Sequence, residues 1–293
     1  MDSVVIKAMA KVNLGLDVLR RRENGYHDVK MVMQTVNLYD TLTITKREDT
    51  QIIITTNAGE LPLAEDNLIY KAAKLLFETV KNECGADIHL DKQIPIAAGM
   101  AGGSTDAAAT LLGLNALYGF GLDKEELAHI GVKIGADVPY CIYGGTYLSE
   151  GIGEILTKLP DAPDCFVVIA KPGIGVSTKY VYENLHIETV SDHPDVDGMI
   201  DAIKTGCLDG VTAKMANVLE TVTVKRYPEI AGMKGCLEEH GAEKALMSGS
   251  GPTVFGIFKE EETARNALDK LNETGLVKQG FVTTFAKETG IME

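Results

Sequence analysis

Alternating apolar and polar positions predict a β-strand near the start of the chain. The apolar members of residues 8–19 occupy every second position: Ala10, Val12, Leu14, Leu16 and Val18. A period of two is typical of a strand that buries one face and exposes the other. The pattern therefore predicts that Lys11 and Asn13, on the second face, both point away from the core.

The next segments predict strands followed by helices. An Asn-Gly turn signal in residues 20–28 and a Thr- and Ile-rich run at 41–56 predict a β-rich, antiparallel first third. A helix is expected from Asn67, with Asp66 or Asn67 as its N-cap. After a strand at 87–90, Ser104 is the predicted cap of an alanine-rich helix. A D-x-x-E capping box at Asp123 then predicts a helix that ends at Gly135.

A polar, proline-containing segment at 158–164 predicts a boundary between domains 1–157 and 158–293. Beyond it we expect a strand at 164–173, helices near 197–205, 209–222 and 227–240, and two strands around a glycine-rich turn in 244–258. A helix at 260–274 and a strand at 280–287 complete the second domain. The predicted fold class is α+β.

Composition excludes several classes of function. The 293 residues carry a net charge of −14, which disfavours a nucleic-acid binder or an anionic-membrane binder. Five widely spaced cysteines indicate neither a disulfide framework nor a zinc site and fit a reducing cytoplasm. No apolar run approaches the roughly 18 residues of a membrane span, so the chain is predicted to be cytoplasmic.

The stretch PIAAGMAGGSTDAA, residues 95–108, has the features of a phosphate-binding loop. Glycines before a helix remove side-chain bulk, so a phosphate can reach the unpaired N–H groups of the first turn. The alternative is a tight strand-to-helix connection in which the glycines satisfy only backbone dihedrals. No lysine follows the last glycine and G-x-G-x-x-G is absent, which excludes P-loop and Rossmann chemistry. A cation must then come from elsewhere, and Lys11 is the candidate.

Three segments together resemble one enzyme family. PIAAGMAGGSTDAA, GADVPYCIYGG at 135–145 and LMSGSGPTVFGIF at 246–258 are similar, in order and spacing, to the three motifs of the GHMP small-molecule kinases. That superfamily includes galactokinase, homoserine kinase and mevalonate kinase. Residues 10–44, with a K-x-N strand followed by G-Y-H, resemble the branch that phosphorylates a cytidine diphosphate sugar alcohol in non-mevalonate isoprenoid synthesis.

The resemblance implies an N-terminal domain like ribosomal protein S5 domain 2, a ferredoxin-like C-terminal domain and an active site in the cleft between them. It implies ATP as a cofactor. Because ATP is normally its magnesium complex, Mg²⁺ is expected as well, with Ser104 as its protein contact. The residues expected to bind ATP are Asn67, Lys92, Pro95, Ile96, Ala97, Ala98, Gly99, Met100, Ala101, Gly102, Gly103, Ser104 and Thr105.

On the acceptor side, the resemblance implies that Lys11 and Asp137 act on the alcohol. The residues expected to bind the substrate are Asn13, Tyr26, His27, Tyr182, Gly249 and Ser250, with Tyr26, His27 and Tyr182 around the cytosine. An ammonium beside a carboxylate favours its ionised form, which suits proton removal from an alcohol. A monomer or a homodimer is expected, with a small-molecule substrate and no nucleic acid or membrane partner.

Three positions depart from the usual family pattern: Met100, Ala101 and Thr105. Two other functions stay open. A mevalonate or homoserine kinase shares the ATP half of the site and differs in its acceptor. A non-catalytic nucleotide- or RNA-binding module is disfavoured by the net charge and by the presence of Lys11 and Asp137.

Overall fold

The computed structural model describes residues 2–59, 61–287 and 291–292, the last two as backbone only. Its strands are β1 (Ser3–Arg21), β2 (His27–Arg47), β3 (Ile52–Thr56), β4 (Gly85–Asp91), β5 (Thr146–Gly151), β6 (Ile155–Lys158), β7 (Phe166–Pro172), β8 (Ala216–Asn217), β9 (Lys244–Met247), β10 (Val254–Phe258), β11 (Val277–Thr284) and β12 (Ile291–Met292). Its α-helices are α1 (Leu68–Val80), α2 (Gly102–Tyr118), α3 (Lys124–Gly131), α4 (Val138–Tyr143), α5 (Thr178–Glu183), α6 (Val196–Lys204), α7 (Leu208–Thr212), α8 (Glu220–Arg226), α9 (Glu229–Glu239) and α10 (Glu261–Glu273).

The strands form two sheets. The larger sheet has the order β12-β1-β2-β4-β3, with β5 and β6 continuing from β2 and β8 added to β1. The smaller sheet has the order β11-β7-β10-β9 and is antiparallel throughout. The predicted α+β class is confirmed. The boundary after residue 157 stays a prediction, since β8 and β12 come from the second half of the chain but pair with β1.

The first strand differs from its prediction because both of its faces are buried. Lys11 is 5% exposed and Asn13 is 1% exposed. Ala10, Val12 and Leu14 pack on one face in the core cluster that includes Met199 of α6, whereas Lys11 contacts Asp137 and Asn13 contacts Met31 on the other face. Register shifts between Met9 and Lys11 and between Asn13 and Gly15 interrupt the alternation, so Leu16 and Val18 belong to the other core cluster. Alternation along a strand distinguishes two faces, but it does not say whether the polar face is solvated.

The N-termini of α1 and α3 follow the sequence signals. Asn67 caps α1 by accepting from the Ile69 N–H, and Asp123 with Glu126 forms the predicted capping box of α3. Gly119 ends α2 in the left-handed conformation, also as predicted. However, α3 ends at Gly131, not at Gly135, and a turn leads into α4. Asp137 thereby becomes the residue that precedes a new helix.

Ser104 does not cap α2, contrary to the prediction. The helix begins three residues earlier than predicted, at Gly102, and its N-cap is Ala101, which makes no side-chain capping hydrogen bond. Glycine has a low helix propensity, so Gly102 and Gly103 do not favour a helix start by themselves. The start of α2 is set instead by packing of the preceding loop against β1, where the Met100 carbonyl accepts from the Lys11 N–H. The N–H groups of the first turn are consequently left without a side-chain cap.

Two other predicted elements are interrupted. The strand expected at 41–56 breaks at residues 48–51, between β2 and β3, and β3 pairs parallel to β4. The helix expected at 209–222 is divided into α7 and α8 by β8, whose two residues pair with β1. The remaining C-terminal elements lie close to their predicted positions, except the last strand, which was expected at 280–287 and is found as β11, Val277–Thr284. In the part of the chain that the structure describes, no helix is both long and apolar enough to cross a bilayer.

Replacing Ala101 by glycine is expected to stabilise the fold. Ala101 has a φ of 58°, in the left-handed region, where an L side chain costs ~1–2 kcal/mol. Glycine relieves that strain at the expense of entropy in the unfolded chain, so Ala101→Gly should raise the free energy of unfolding by up to about 1 kcal/mol. Ala128→Gly inside α3, as a control, should lower it by about 1 kcal/mol. Chemical denaturation of both variants tests this, and a loss in Ala101→Gly would contradict it.

Candidate active site

A cavity of about 1090 Å³ lies between the glycine-rich loop, the tip of the β1–β2 hairpin, α5 and the turn after β9. This exceeds the roughly 300–1,000 Å³ of a typical small-molecule site, so the cavity has space for two ligands. The structure brings nearly all sequence-predicted site residues to its wall: Lys11, Asn13, Tyr26, His27, Asn67, Lys92, Pro95, Ile96, Ala97, Ala98, Gly99, Met100, Ala101, Gly102, Gly103, Ser104, Asp137, Tyr182, Gly249 and Ser250.

Lys11 reaches the cavity from the middle of β1 with its ammonium held on several sides. Its Nζ donates to Asn13 Oδ1 at 2.9 Å and to the carbonyl oxygen of Gly99 at 3.3 Å. Its third neighbour is Asp137 Oδ2, at 3.9 Å. A buried ammonium is costly unless it is paired and hydrogen-bonded, and these groups supply both kinds of compensation. The result is a cation of defined position at the cavity wall.

Asp137 lies beside Lys11 on the wall of the same cavity. It precedes α4, and its side chain makes no helix-capping hydrogen bond, so the carboxylate is available to the cavity. About a third of that side chain, 34%, is exposed, against 6% for Lys11. The pair therefore combines a buried cation with an anion that a ligand can approach.

The glycine-rich loop presents bare backbone beside this pair. Ala97, Gly99 and Ala101 all have positive φ values, so the loop turns sharply before α2 begins. The helix N-terminus has the positive end of its dipole and unpaired N–H groups in this region. The loop and the helix together form a surface suited to an anion such as a phosphate.

Two hydroxyl residues at the start of α2 have different surroundings. Ser104 lines the cavity and lies next to the Gly135 backbone, where a Cβ on Gly135 would lie 3.9 Å from its Oγ. Thr105 does not line the cavity. It is 1% exposed, and its Oγ1 donates to the carbonyl of Met9 at 2.8 Å. Its side chain therefore fastens α2 to β1.

Lys92 lies in a buried ionic cluster that sequence reasoning missed. Its Nζ contacts Asp40 Oδ2 at 2.5 Å and Asp106 Oδ2 at 2.7 Å. Burial disfavours the ammonium, but Asp106 and Asp40 prevail and raise the pKa of Lys92. Burial, aided by Asp40 and opposed by Lys92, raises the pKa of Asp106 well above its usual range. Two carboxyl groups beside one cation repel each other when both are ionised, which adds to the effect of burial on Asp106.

This ionic cluster supports the floor of the loop. Asp40 Oδ1 accepts from the backbone N–H groups of Gln93 and Ile94, at 2.6 and 2.7 Å, directly before the loop. A Cβ on Gly102 would lie 3.1 Å from Lys92 Nζ. Asp106 was adjacent to the glycine motif in sequence, but nothing in its spacing indicated burial. Asp40 carried no signal in the sequence.

Aromatic residues define the other end of the cavity. His27, at the start of β2, and Tyr182, on α5, have ring centroids 5.1 Å apart with an angle of 35° between their planes. Burial, with a smaller effect of Arg21, lowers the pKa of His27. Neutral imidazole offers one donor and one acceptor. Tyr26 is 59% exposed, so its ring is free to cover a flat ligand.

The turn after β9 closes the cavity on its third side. Gly249 and Ser250 line the wall, and Ser250 Oγ lies 2.8 Å from Thr178 Oγ1. Gly99 tolerates no side chain here, because a Cβ would come within 2.2 Å of the Ser248 carbonyl oxygen. The first and third motifs are thus in direct backbone contact. Ser248 is a further residue that the sequence analysis did not select.

Two family comparisons agree with this arrangement. Residues 67–145 match the family GHMP kinases N terminal domain, and residues 199–276 match GHMP kinases C terminal. The first range contains the glycine-rich loop and Asp137, and the second contains the turn with Ser248.

Relatives that match nearly the whole chain identify a narrower family than the two domain models do. The chain is 53% identical to the 4-diphosphocytidyl-2-C-methyl-D-erythritol kinase of Lachnospira eligens, over 97% of this chain and 98% of the relative. It is 50% identical to the enzyme of that name from Lachnoclostridium phytofermentans, over 99% and 100%. A crystal structure of 4-(cytidine 5'-diphospho)-2C-methyl-D-erythritol kinase superposes with a TM-score of 0.82 at 32% identity, covering 96% of this chain and 99% of that one. The chain belongs to the 4-diphosphocytidyl-2-C-methyl-D-erythritol kinase family of the GHMP kinases.

Proposed function

We propose that the protein transfers the γ-phosphoryl group of ATP to the 2-hydroxyl of 4-diphosphocytidyl-2-C-methyl-D-erythritol, giving the 2-phosphate and ADP. The reaction belongs to the non-mevalonate route to isoprenoid precursors. The observation that carries the proposal is the meeting of Lys11 and Asp137, 3.9 Å apart, beside a backbone loop suited to phosphate. The names of the relatives that match nearly the full chain support the choice of acceptor.

Asp137 is the proposed base. Its carboxylate accepts the proton of the acceptor hydroxyl while the oxygen attacks the γ-phosphorus, and the bond to the β–γ bridging oxygen breaks to release ADP. Phosphoryl transfer needs little covalent work from the protein, so alignment and charge neutralisation account for most of the catalysis. Lys11 attracts the negative charge that develops on the acceptor oxygen and keeps the Asp137 carboxylate oriented. Its burial strengthens both effects, because the surroundings screen charge less than water does.

ATP is proposed to lie with its phosphates along residues 95–105. The positive-φ turns at Ala97, Gly99 and Ala101 and the uncapped start of α2 support this position. Asn67 is already engaged as the α1 cap and as a donor to the Pro62 carbonyl at 2.7 Å, so it would form a fixed wall for the adenine. Lys92, engaged by two carboxylates, would support that side through its packing under Gly102.

Magnesium is proposed to accompany ATP, with Ser104 as a protein ligand. The residues present fit this role: a hydroxyl at the helix start faces the cavity, and Mg²⁺ bound to a nucleotide takes most of its ligands from phosphates and water. Among the described residues no cluster of three or more His, Cys, Asp or Glu side chains suits a metal ion, which is compatible with such a sparsely held cation. Bound there, the ion would neutralise phosphate charge.

The cytosine is proposed to bind between Tyr26 and Tyr182 with His27 at its edge. The base offers a π-face to the aromatic rings, and neutral His27 can both donate to and accept from its polar edge. Tyr182 lies against His27, so we infer that the base displaces or extends this aromatic contact. Cytoplasmic location and the choice between monomer and homodimer stay predictions.

Replacing the proposed base should abolish most turnover without preventing nucleotide binding. Asp137→Asn keeps the shape of the side chain but cannot accept the proton, so we expect kcat to fall at least ~100-fold, the usual contribution of a positioned base. ATP affinity, measured by calorimetry, should change little. Asp201→Asn is the control, because that carboxylate lies on the surface of α6 and pairs with Lys204, away from the cavity wall. Near-normal turnover of Asp137→Asn would reject the assignment of the base.

The choice of acceptor can be tested with the same protein. ADP release should be rapid with the cytidine diphosphate substrate and at background level with mevalonate or homoserine. Faster turnover with mevalonate or homoserine than with the cytidine diphosphate substrate would instead assign the protein to another branch of the GHMP kinases.

Tyr182 variants should separate stacking from catalysis. Tyr182→Leu removes the ring, and base–aromatic stacking is worth ~1–3 kcal/mol, so KM for the cytidine substrate should rise roughly 5–150-fold. Tyr182→Phe keeps the ring and should stay close to the wild type. KM for ATP should be unchanged in both variants. An equal rise in both KM values for Tyr182→Leu would indicate general damage to the cleft and contradict a cytosine site.

A further inference from the structure

The carbonyl oxygen of Gly99 receives two hydrogen bonds from residues that are far apart in sequence. One donor is the ammonium of Lys11 at 3.3 Å, and the other is the hydroxyl of Ser248 at 2.9 Å. Ser248 is fully buried. The carbonyl that helps to orient the reactive cation is therefore itself held by a side chain from the C-terminal half of the chain.

The contact between Gly99 and Ser248 leaves little freedom to either segment. Gly99 has a φ of 72°, and a Cβ there would lie 2.2 Å from the Ser248 carbonyl oxygen. That same carbonyl accepts from the Gly251 N–H at 2.9 Å, which closes the turn. A shift of the turn by a fraction of an ångström would consequently move the Gly99 carbonyl.

Asn217 fixes the turn to the strand that carries Lys11. Its Nδ2 donates to the carbonyls of Met247 and Gly249, both at 2.8 Å, on either side of Ser248. Its Oδ1 accepts from the Leu219 N–H at 3.0 Å, and the side chain is buried. Its backbone forms part of β8, which pairs with β1 at Leu16. A closed path of contacts thus runs from β1 through Asn217 and Ser248 to Gly99 and back to Lys11.

We infer that Ser248 is a positioning residue that acts on phosphoryl transfer through Lys11, with Asn217 as its support. The inference rests on the proposed function. Neither Ser248 nor Asn217 belongs to the wall of the cavity as the structure describes it, so neither has direct access to ATP or acceptor. Without the Ser248 hydroxyl, the Gly99 carbonyl loses the hydrogen bond that fixes its position. Lys11 then keeps its hydrogen bond to Asn13, but its second acceptor, the Gly99 carbonyl, is free to move. The ammonium then drifts from the position that serves Asp137 and the acceptor oxygen.

Ser248→Ala is expected to lower kcat about 10-fold, because small misplacements of catalytic groups are costly. KM for ATP and for the cytidine substrate should stay within about two-fold, since the cavity wall is intact. The matched control is Ser149→Ala, which removes another fully buried hydroxyl that donates to a glycine carbonyl, that of Gly153 at 2.8 Å. Its kcat should stay within about two-fold of the wild type at a similar thermal midpoint.

Asn217→Asp should have a larger effect on kcat. A carboxylate has the shape of the amide but cannot donate to the Met247 and Gly249 carbonyls and is repelled by both oxygens. Asn115→Asp is the control, because Asn115 also joins a loop through its amide, at the Leu122 carbonyl, next to the end of α2. Equal losses of kcat in the two variants, with equal thermal midpoints, would contradict the supporting role of Asn217.

A double-mutant cycle with Lys11→Met separates positioning from structure. If Ser248 acts through Lys11, adding Ser248→Ala to Lys11→Met should cause no further loss of the single-turnover rate, measured with enzyme in excess. The same fold-loss in both backgrounds, or a Ser248→Ala rate equal to the Ser149→Ala rate, would overturn the inference alone. A wild-type enzyme without turnover, or an unimpaired Lys11→Met variant, would contradict the proposed function and with it this inference.

Discussion

The ammonium of Lys11 is the group around which the cleft is organised. It is almost excluded from water, so its charge must be compensated by neighbours of fixed position, and three parts of the chain supply them. Asn13 comes from the same strand, Gly99 from the glycine-rich loop and Asp137 from the start of α4. A charge that needs partners from separate segments ties those segments together, and the same requirement places the partly exposed carboxylate of Asp137 beside bare backbone.

The fold provides these partners through unusual backbone rather than through strong local propensity. α2 starts at two glycines after a left-handed alanine, and Thr105 anchors it to β1 by a hydroxyl bond to Met9. Below the loop, the buried Asp40–Lys92–Asp106 cluster joins strand, loop and helix. Above it, the turn around Ser248 contacts Gly99 so closely that only glycine fits. Contacts on two sides therefore fix the loop in place, which suits a site that must align its ligands.

Much of this arrangement was predictable from the sequence, but not all of it. The three motifs marked the loop, Asp137 and the last turn, because glycines and helix starts leave local signatures. The burial of Lys11 did not follow from alternation, since the Gly99 carbonyl and Asp137 come to its face of β1 only in the folded chain. Ser104 was a wrong cap because packing of the loop moved the helix start. Asp40 and Asn217 gave no signal, because their importance comes from contacts more than 25 residues away in sequence.

The most direct measurement of the central claim is a structure with a non-hydrolysable ATP analogue and the cytidine diphosphate substrate bound together. The account predicts the phosphates along residues 95–105 and the acceptor oxygen within about 3 Å of an Asp137 carboxylate oxygen, with the Lys11 ammonium in contact with both. An acceptor hydroxyl beyond hydrogen-bonding distance of Asp137, or phosphates bound away from the glycine-rich loop, would contradict it.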